Sequence, residues 1–244
     1  MKMERKVARH LTVGAAILLS AGLVAPAVRA DDGGKIAGKA TFEGTPPAPI
    51  KLKMDADPIC AGKNPDATSD DVKVGAGGGL EGVFIHVSGG LPAGKTYTAS
   101  TEPVTIDQNG CHYVPHVVGV MVGQPLKILN NDGTLHNVHG MPKLNDQFNF
   151  AMPKFVKQKE TKFGKEEIMI AMKCDVHPWM SGFIGVVDNP YFAVTGADGT
   201  FTIKDLPPGE YTIEAWHEKF GTQTGKAKVD GTGTATADFK FKAS

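Results

Sequence analysis

Cys174, His177 and Met180 fall within one seven-residue stretch, C-D-V-H-P-W-M, and His136 lies upstream in N-N-D-G-T-L-H-N-V-H. One thiolate, two imidazoles and one thioether make up the ligand set of a mononuclear type 1 copper site, in which Cys and two His form a trigonal plane and a Met sits on a long axial bond. The spacing suits that chemistry. Three ligands from one tight turn and a fourth from a neighbouring strand let a rigid scaffold hold the metal with little motion between Cu(I) and Cu(II). Small reorganisation favours fast one-electron transfer. The residues therefore predict one type 1 copper per chain, with His136, Cys174, His177 and Met180 as metal ligands.

The elements that must carry these ligands read as β-strands. The run E-E-I-M-I-A-M-K-C alternates with period two and puts Ile168, Ile170, Met172 and Cys174 on one core-facing side. A buried thiolate belongs at the end of such a strand. Phe183-Ile184-Gly185-Val186-Val187 reads as the closing strand. Upstream, V-T-I-D-Q-N-G-C-H-Y-V and V-V-G-V-M-V-G-Q-P-L-K-I-L-N-N-D supply strands around a Gly-Gln-Pro turn, and the last one delivers the Asn-Asn-Asp loop and His136. The stretch M-P-K-L-N-D-Q-F-N-F-A-M-P reads as a connection.

The flanks differ in texture. The chain from Gly34 alternates through G-K-I-A-G-K-A-T-F-E-G to a Pro-Pro break, residues 54 to 80 read as a long loop, and L-E-G-V-F-I-H-V is a strand with Val83, Ile85 and Val87 on one face. After residue 188 the turns A-D-G-T-F and D-L-P-P-G-E-Y punctuate short strands. With 30 Gly, 16 Pro and almost no helical periodicity, the class is all-β.

Residues 1 to 30 stand apart as a signal peptide. Lys2, Arg5, Lys6 and Arg9 precede an uncharged apolar run from Leu11 to Val24, and Val28-Arg29-Ala30 offers small residues for cleavage near Ala30. The run is short for a membrane span, so the expectation is a periplasmic or secreted protein with no span in the mature chain. This segment holds five of the 26 basic and one of the 26 acidic side chains, so the remainder carries four more acids than bases. That balance argues against nucleic acid as a partner, since no basic surface is available to neutralise phosphates. Of three cysteines, Cys174 is assigned to the metal. Cys60 and Cys111 are left as a pair for which a disulfide is the default in an oxidising compartment, with two buried thiols as the alternative.

Residues 103–188 resemble the cupredoxin (plastocyanin/amicyanin-like blue copper) family through C-D-V-H-P-W-M and N-N-D-G-T-L-H-N-V. The resemblance implies a Greek-key sandwich, copper on His136, Cys174, His177 and Met180, and Asn137 as the side chain that ties the two ligand loops together. It also implies that His177 faces solvent as the electron port, with Pro178 and Trp179 as an apolar rim for a redox protein partner. Loops of the amicyanin type have Pro immediately before the second His, where this chain has Val176. Its N–H is therefore free to donate to the Cys174 sulfur and favour Cu(I). T-G-A-D-G-T-F-T-I-K-D-L-P-P-G-E-Y-T-I resembles carboxypeptidase regulatory-like (transthyretin-like) domains, and the start of the mature chain looks like the first half of the same domain. The implied order is a smaller transthyretin-like sandwich, split between residues 31–102 and 189–244, around the cupredoxin. Tandem order is the rival.

The function these features imply is a periplasmic single-electron carrier and not an enzyme, since no other catalytic constellation stands out. The alternatives are a copper chaperone or sensor, or a copper-binding subunit of an oxidoreductase complex. His116, His139 and His217 are left over, either as a second metal site or as hydrogen-bonded histidines near the seam, and Trp216 and His217 are candidates to pack on the copper sandwich.

Overall fold

A computed structural model describes residues 33 to 243; residues 1 to 30, read above as a signal peptide, lie outside the described residues. The chain is nearly all β. Strands run β1 (Gly34–Glu43), β2 (Phe84–Gly89), β3 (Val104–Asn109), β4 (His112–Val114), β5 (Val117–Met121), β6 (Leu126–Asn130) and β7 (His136–Met141). They continue as β8 (Phe148–Met152), β9 (Gln158–Thr161), β10 (Glu167–Lys173), β11 (Ser181–Val187), β12 (Phe192–Val194) and β13 (Thr200–Leu206). The last are β14 (Gly209–His217), β15 (Gly221–Val229), β16 (Thr234–Thr236) and β17 (Phe239–Lys242). Among the described residues no helix is long and apolar enough to cross a membrane.

Four sheets result. β4-β3-β6-β9 and β5-β11-β10-β7-β8 are built only from strands between residues 104 and 187. β12-β2-β14-β15 and the sheet of β13, β1, β16 and β17 combine strands from both ends of the chain. β1 pairs antiparallel with β13 and parallel with β16 and β17, while β2 lies between β12 and β14. Each pair of sheets encloses its own core. One centres on Ile36, Ile85, Ile203, Ile213 and Phe241. The other centres on Ile106, Ile128, Val138, Ile170 and Ile184 and includes Met172, Cys174 and Met180.

A third, smaller cluster forms the seam. Phe84, Val117 and Val187 are buried there, with Phe183, Phe192 and Trp216 packed around them, and the Trp216 ring lies 4.9 Å from that of Phe183. Gly119 on β5 and Gly185 on β11 make this approach possible. A Cβ at Gly119 would lie 2.5 Å from the Phe192 ring, and one at Gly185 would lie 2.5 Å from the Phe84 ring.

Three local features depart from the sequence reading. Residues 54 to 80 are not simply a loop. Asp57 caps a short helix, α1 (Pro58–Lys63), by accepting the Ile59 and Cys60 N–H groups, with Pro58 in the first turn where its missing N–H costs nothing. The stretch read as a connection after residue 141 contains β8, whose Phe148 and Phe150 alternate with Asn149 on the edge of the β7 sheet. Ile168 does not share the inner face with Ile170, Met172 and Cys174. The β10–β11 register shifts between Glu167 and Ile170, Met169 takes a φ of 62°, and Ile168 is left 37 % exposed. An extra residue in one strand reverses the alternation on its far side.

His217, at the end of β14, is buried and stacks on Phe220 with ring centroids 4.6 Å apart. Burial, and secondarily the charge of His116, push its pKa down to about 4; Asp71 opposes this and Lys219 adds to it. The unfolded chain, with an ordinary imidazole near about 6.5, therefore binds this proton more readily. The stabilisation is complete above about pH 6.5 and is lost as the pH falls toward about 4. Denaturant titrations should show His217 costing about 3 kcal/mol across that window. A His217→Phe variant whose acid limb has the same slope as wild type would contradict this.

Candidate metal centre

The loop between β10 and β11 is short and pinned at both ends. Lys173 pairs with His139 of β7 on one side and with Ser181 of β11 on the other, so Cys174 leaves the sheet beside the strand that begins with His136. Inside the loop, the Cys174 N–H donates to the Met180 carbonyl at 3.1 Å and the Met180 N–H to the His177 carbonyl at 3.0 Å. This double closure folds the loop back on itself, so that His177 faces Cys174 and Met180 returns beside Cys174.

Nδ1 of His136 lies 2.9 Å from Nδ1 of His177, and the Cys174 Sγ lies 3.7 Å from the same His177 nitrogen. The three donor atoms are all within 4.8 Å of one another and all three residues are buried. Met180 is 0 % exposed and belongs to the same core as Cys174. The outer nitrogens are anchored by carboxylates, His136 Nε2 by Asp132 Oδ2 at 2.9 Å and His177 Nε2 by Asp57 Oδ2 at 3.2 Å. With each Nε2 beside a carboxylate, the two Nδ1 atoms are left facing each other and the sulfur. Two inward imidazole nitrogens and a thiol are a donor set that could hold a metal ion, and a soft sulfur with two imidazoles is chemistry that suits copper.

The electrostatics point the same way. Burial pushes the Cys174 thiol up, but the His136 side chain and the N–H groups of Asn137, His177 and Val176 outweigh it and hold the pKa below its ordinary value. The Asn137 N–H meets Sγ at 3.5 Å, and the Val176 N–H expected from the sequence adds a smaller contribution. For His136, burial works downward, but Asp132 and Cys174 carry the pKa up to about 8.

Asn137 links the two ligand-bearing segments directly. Its Oδ1 accepts the Asp175 N–H at 2.7 Å, and its Nδ2 donates to Asp175 Oδ2 at 3.0 Å and Asn149 Oδ1 at 2.7 Å. Its carbonyl accepts the Tyr113 hydroxyl at 2.6 Å.

The surroundings of His177 depart from expectation. The residue is only 2 % exposed, because Asp57 and Cys60, at the start of α1, lie across the outer edge of its ring. His177 is therefore not the open port that the family resemblance implied. Trp179, half-buried with its ring 5.0 Å from that of His177, borders the same site. α1 is held down by a Cys60–Cys111 disulfide spanning 51 residues. In the chain-entropy account, closing such a loop is worth about 4 kcal/mol. Asp57 and Asp132 escaped the sequence reading. Asp57-Pro58 is a recognisable helix start and Asp132 lies within Asn-Asn-Asp, but neither pattern reveals which imidazole it will meet.

The remaining histidines do not join into a second centre among the described residues. His139 pairs with Asp175 at 3.0 Å, His116 with Glu218, and His112 with Asp70.

Residues 186–242 match the carboxypeptidase regulatory-like domain family. No curated protein matches the chain. Among solved structures, a copper-containing nitrite reductase from Thermus scotoductus is similar at 21% identity and a TM-score of 0.32, over 42% of this chain and 26% of that one. The chain thus spans about a quarter of that enzyme's length. A Cu(I) form of an amicyanin mutant is similar at 19% identity and a TM-score of 0.31, over 43% of this chain and 99% of its own. A purple cupredoxin from Nitrosopumilus maritimus is similar at 21% identity and a TM-score of 0.29, over 34% of this chain and 97% of its own.

Asn137→Ala removes four side-chain bonds, two with Asp175, one with Asn149 and one from the Cys174 thiol at 3.3 Å, while leaving the four proposed ligands themselves in place. It should lower the denaturation midpoint of the metal-free protein by the equivalent of about 2 kcal/mol with an unchanged denaturant slope. An unaltered midpoint would show that the two loops are held by other means.

Proposed function

We propose that the protein is a type 1 copper electron carrier, with His136, Cys174 and His177 as equatorial ligands and Met180 as the axial one. The observation that carries this reading is the buried meeting of two inward Nδ1 atoms and a free thiol, with both outer nitrogens fixed by carboxylates. A bound copper supplies a one-electron Cu(II)/Cu(I) couple. The chain's own residues do the rest. Asp132 and Asp57 hold the imidazole orientations, Asn137 keeps the two loops in register, and the core around Cys174 excludes water. A site fixed on three paired strands changes little between oxidation states, and that favours electron exchange over chemistry on a substrate.

The proposed partner is a redox protein docking around Trp179 and the segment that covers His177. The proposed location is periplasmic or secreted after cleavage near Ala30, supported by the leader-like segment and by a cystine that needs an oxidising compartment. The split of residues 31–102 and 189–244 around 103–188 is proposed as the domain division, supported by the strand pairings of β1 and β2.

A visible spectrum of the Cu(II)-loaded mature protein tests the reading. Wild type should show an intense sulfur-to-copper charge-transfer band, abolished in Cys174→Ser. Only the faint absorption of a nitrogen/oxygen site in wild type would sink the proposal. On the same preparation, a carrier keeps its copper against a stoichiometric chelator and turns over neither nitrite nor oxygen. A chaperone surrenders the metal, and an enzyme shows turnover.

A further inference from the structure

We propose that Asp57 is a positioning residue for His177, and that α1, fastened by the Cys60–Cys111 cystine, is a fixed cover over the outer edge of the metal centre. This rests on the reading of His177 as a ligand and extends it to residues distant in sequence.

The Asp57 carboxylate performs two tasks with its two oxygens. Oδ1 accepts the Ile59 and Cys60 N–H groups at 2.8 and 3.3 Å and so starts the helix. Oδ2 accepts the Thr134 hydroxyl at 2.7 Å and faces His177 Nε2 at 3.2 Å. Helix register and imidazole orientation are therefore set by one rigid group. A ligating histidine whose outer N–H donates to a carboxylate is fixed in tautomer and ring angle and becomes a stronger base toward the metal.

The second ligand is tied to the same helix. Lys63, in its last turn, reaches Asp132 Oδ1 at 2.8 Å and the Asn131 carbonyl at 3.1 Å, while Asp132 Oδ2 anchors His136 Nε2. Both imidazoles thus lean on carboxylates that α1 organises, Asp57 as its cap and Asp132 through Lys63. Asn64, just past the helix, donates to the Gly110 carbonyl at 3.4 Å.

The cystine sits where this arrangement needs a fastener. Cys60 Sγ lies 3.9 Å from His177 Nε2. Cys111 Sγ and donor atoms of Asp132 and His136 lie within 4.8 Å of one another. Cys111 occupies the left-handed region at φ 60°, beside Gly110 at φ 67°, in the two-residue turn between β3 and β4. A non-glycine residue there is unfavourable and persists only where its surroundings hold it. Here the Cys111 N–H donates to Asp132 Oδ2 at 2.8 Å, and its sulfur is bonded to α1. The turn, the helix and the two carboxylates form one connected shell across the backs of the two histidines.

The test uses the full mature chain with Asp57→Ala and Asp57→Asn. One readout needs no copper: the rate at which diethyl pyrocarbonate modifies His177 in the metal-free protein, read by peptide mass spectrometry with the partly exposed His139 as internal reference. The other is the rate of copper loss to a chelator. Asp57→Ala should speed copper loss by about 10- to 100-fold and raise His177 modification relative to His139. Asp57→Asn keeps the helix cap, so it remains folded if the alanine variant does not, and should move both rates in the same direction by a smaller factor. The Cys60→Ser/Cys111→Ser double variant should do the same. Rates within twofold of wild type in the folded Asp57 variants would overturn the proposal. Absence of the charge-transfer band in wild type would instead fault the copper reading, and the modification rates would still decide whether Asp57 covers His177.

Discussion

Two imidazoles 2.9 Å apart, backed by a buried thiol, cannot be taken out of water unless every outward polar atom finds a partner. Much of the ligand-bearing half of the protein meets that condition. Asp132 takes the outer nitrogen of His136 and itself accepts the Gly110 and Cys111 N–H groups and the Lys63 ammonium. These partners outweigh burial and bring its pKa down to about 2, so it remains an anion in the interior. Asp57 does the corresponding work for His177. For that carboxylate too burial works upward, and the Thr134, Ile59, Cys60 and His177 contacts outweigh it.

The sheets convert those pairings into fixed geometry. β10 lies between β7 and β11, so the strand that ends at Cys174 is hydrogen-bonded to the strand that begins at His136 and to the strand that follows Met180. The bulge at Met169 lets β10 keep Ile170, Met172 and Cys174 inward while Ile168 turns out. At the opposite face of this sheet, Gly119 and Gly185 leave room for Phe84 and Phe192. The seam is therefore ring against backbone, close enough that neither β5 nor β11 can carry a side chain at those points.

The cover alters how the proposed carrier exchanges electrons. With the His177 edge closed by Asp57 and the cystine, an electron must cross α1 or pass near the Trp179 ring, which lies 5.0 Å from that of His177. The exposed apolar side chains nearby in sequence, Ile59 on the helix and Val176 in the ligand loop, are 41 % and 47 % exposed. In the proposed reading, burial and double anchoring favour retention of the metal at the expense of direct contact between ligand and partner.

Local pattern in the chain carried the class of the fold and named residues that meet at the centre. Period-two alternation, glycine- and proline-marked turns and the close spacing of Cys174 and His177 are local patterns, and they survive translation into structure because strand and turn geometry act over a few residues. Pairing Cys60 with Cys111 followed from there being only three cysteines. The tertiary structure alone decided which carboxylates back the histidines. Asp57 lies 120 positions from His177, and no periodicity encodes a contact of that separation. It also decided that residues 54 to 64 fold onto the ligand-bearing core and close His177 off from solvent. The bulge at Met169 was likewise illegible, because the alternation of E-I-M-I-A-M-K reads equally well without it, and only packing against β11 selects the residue that turns out. Local propensity names the donors, and long-range packing chooses what stands behind them.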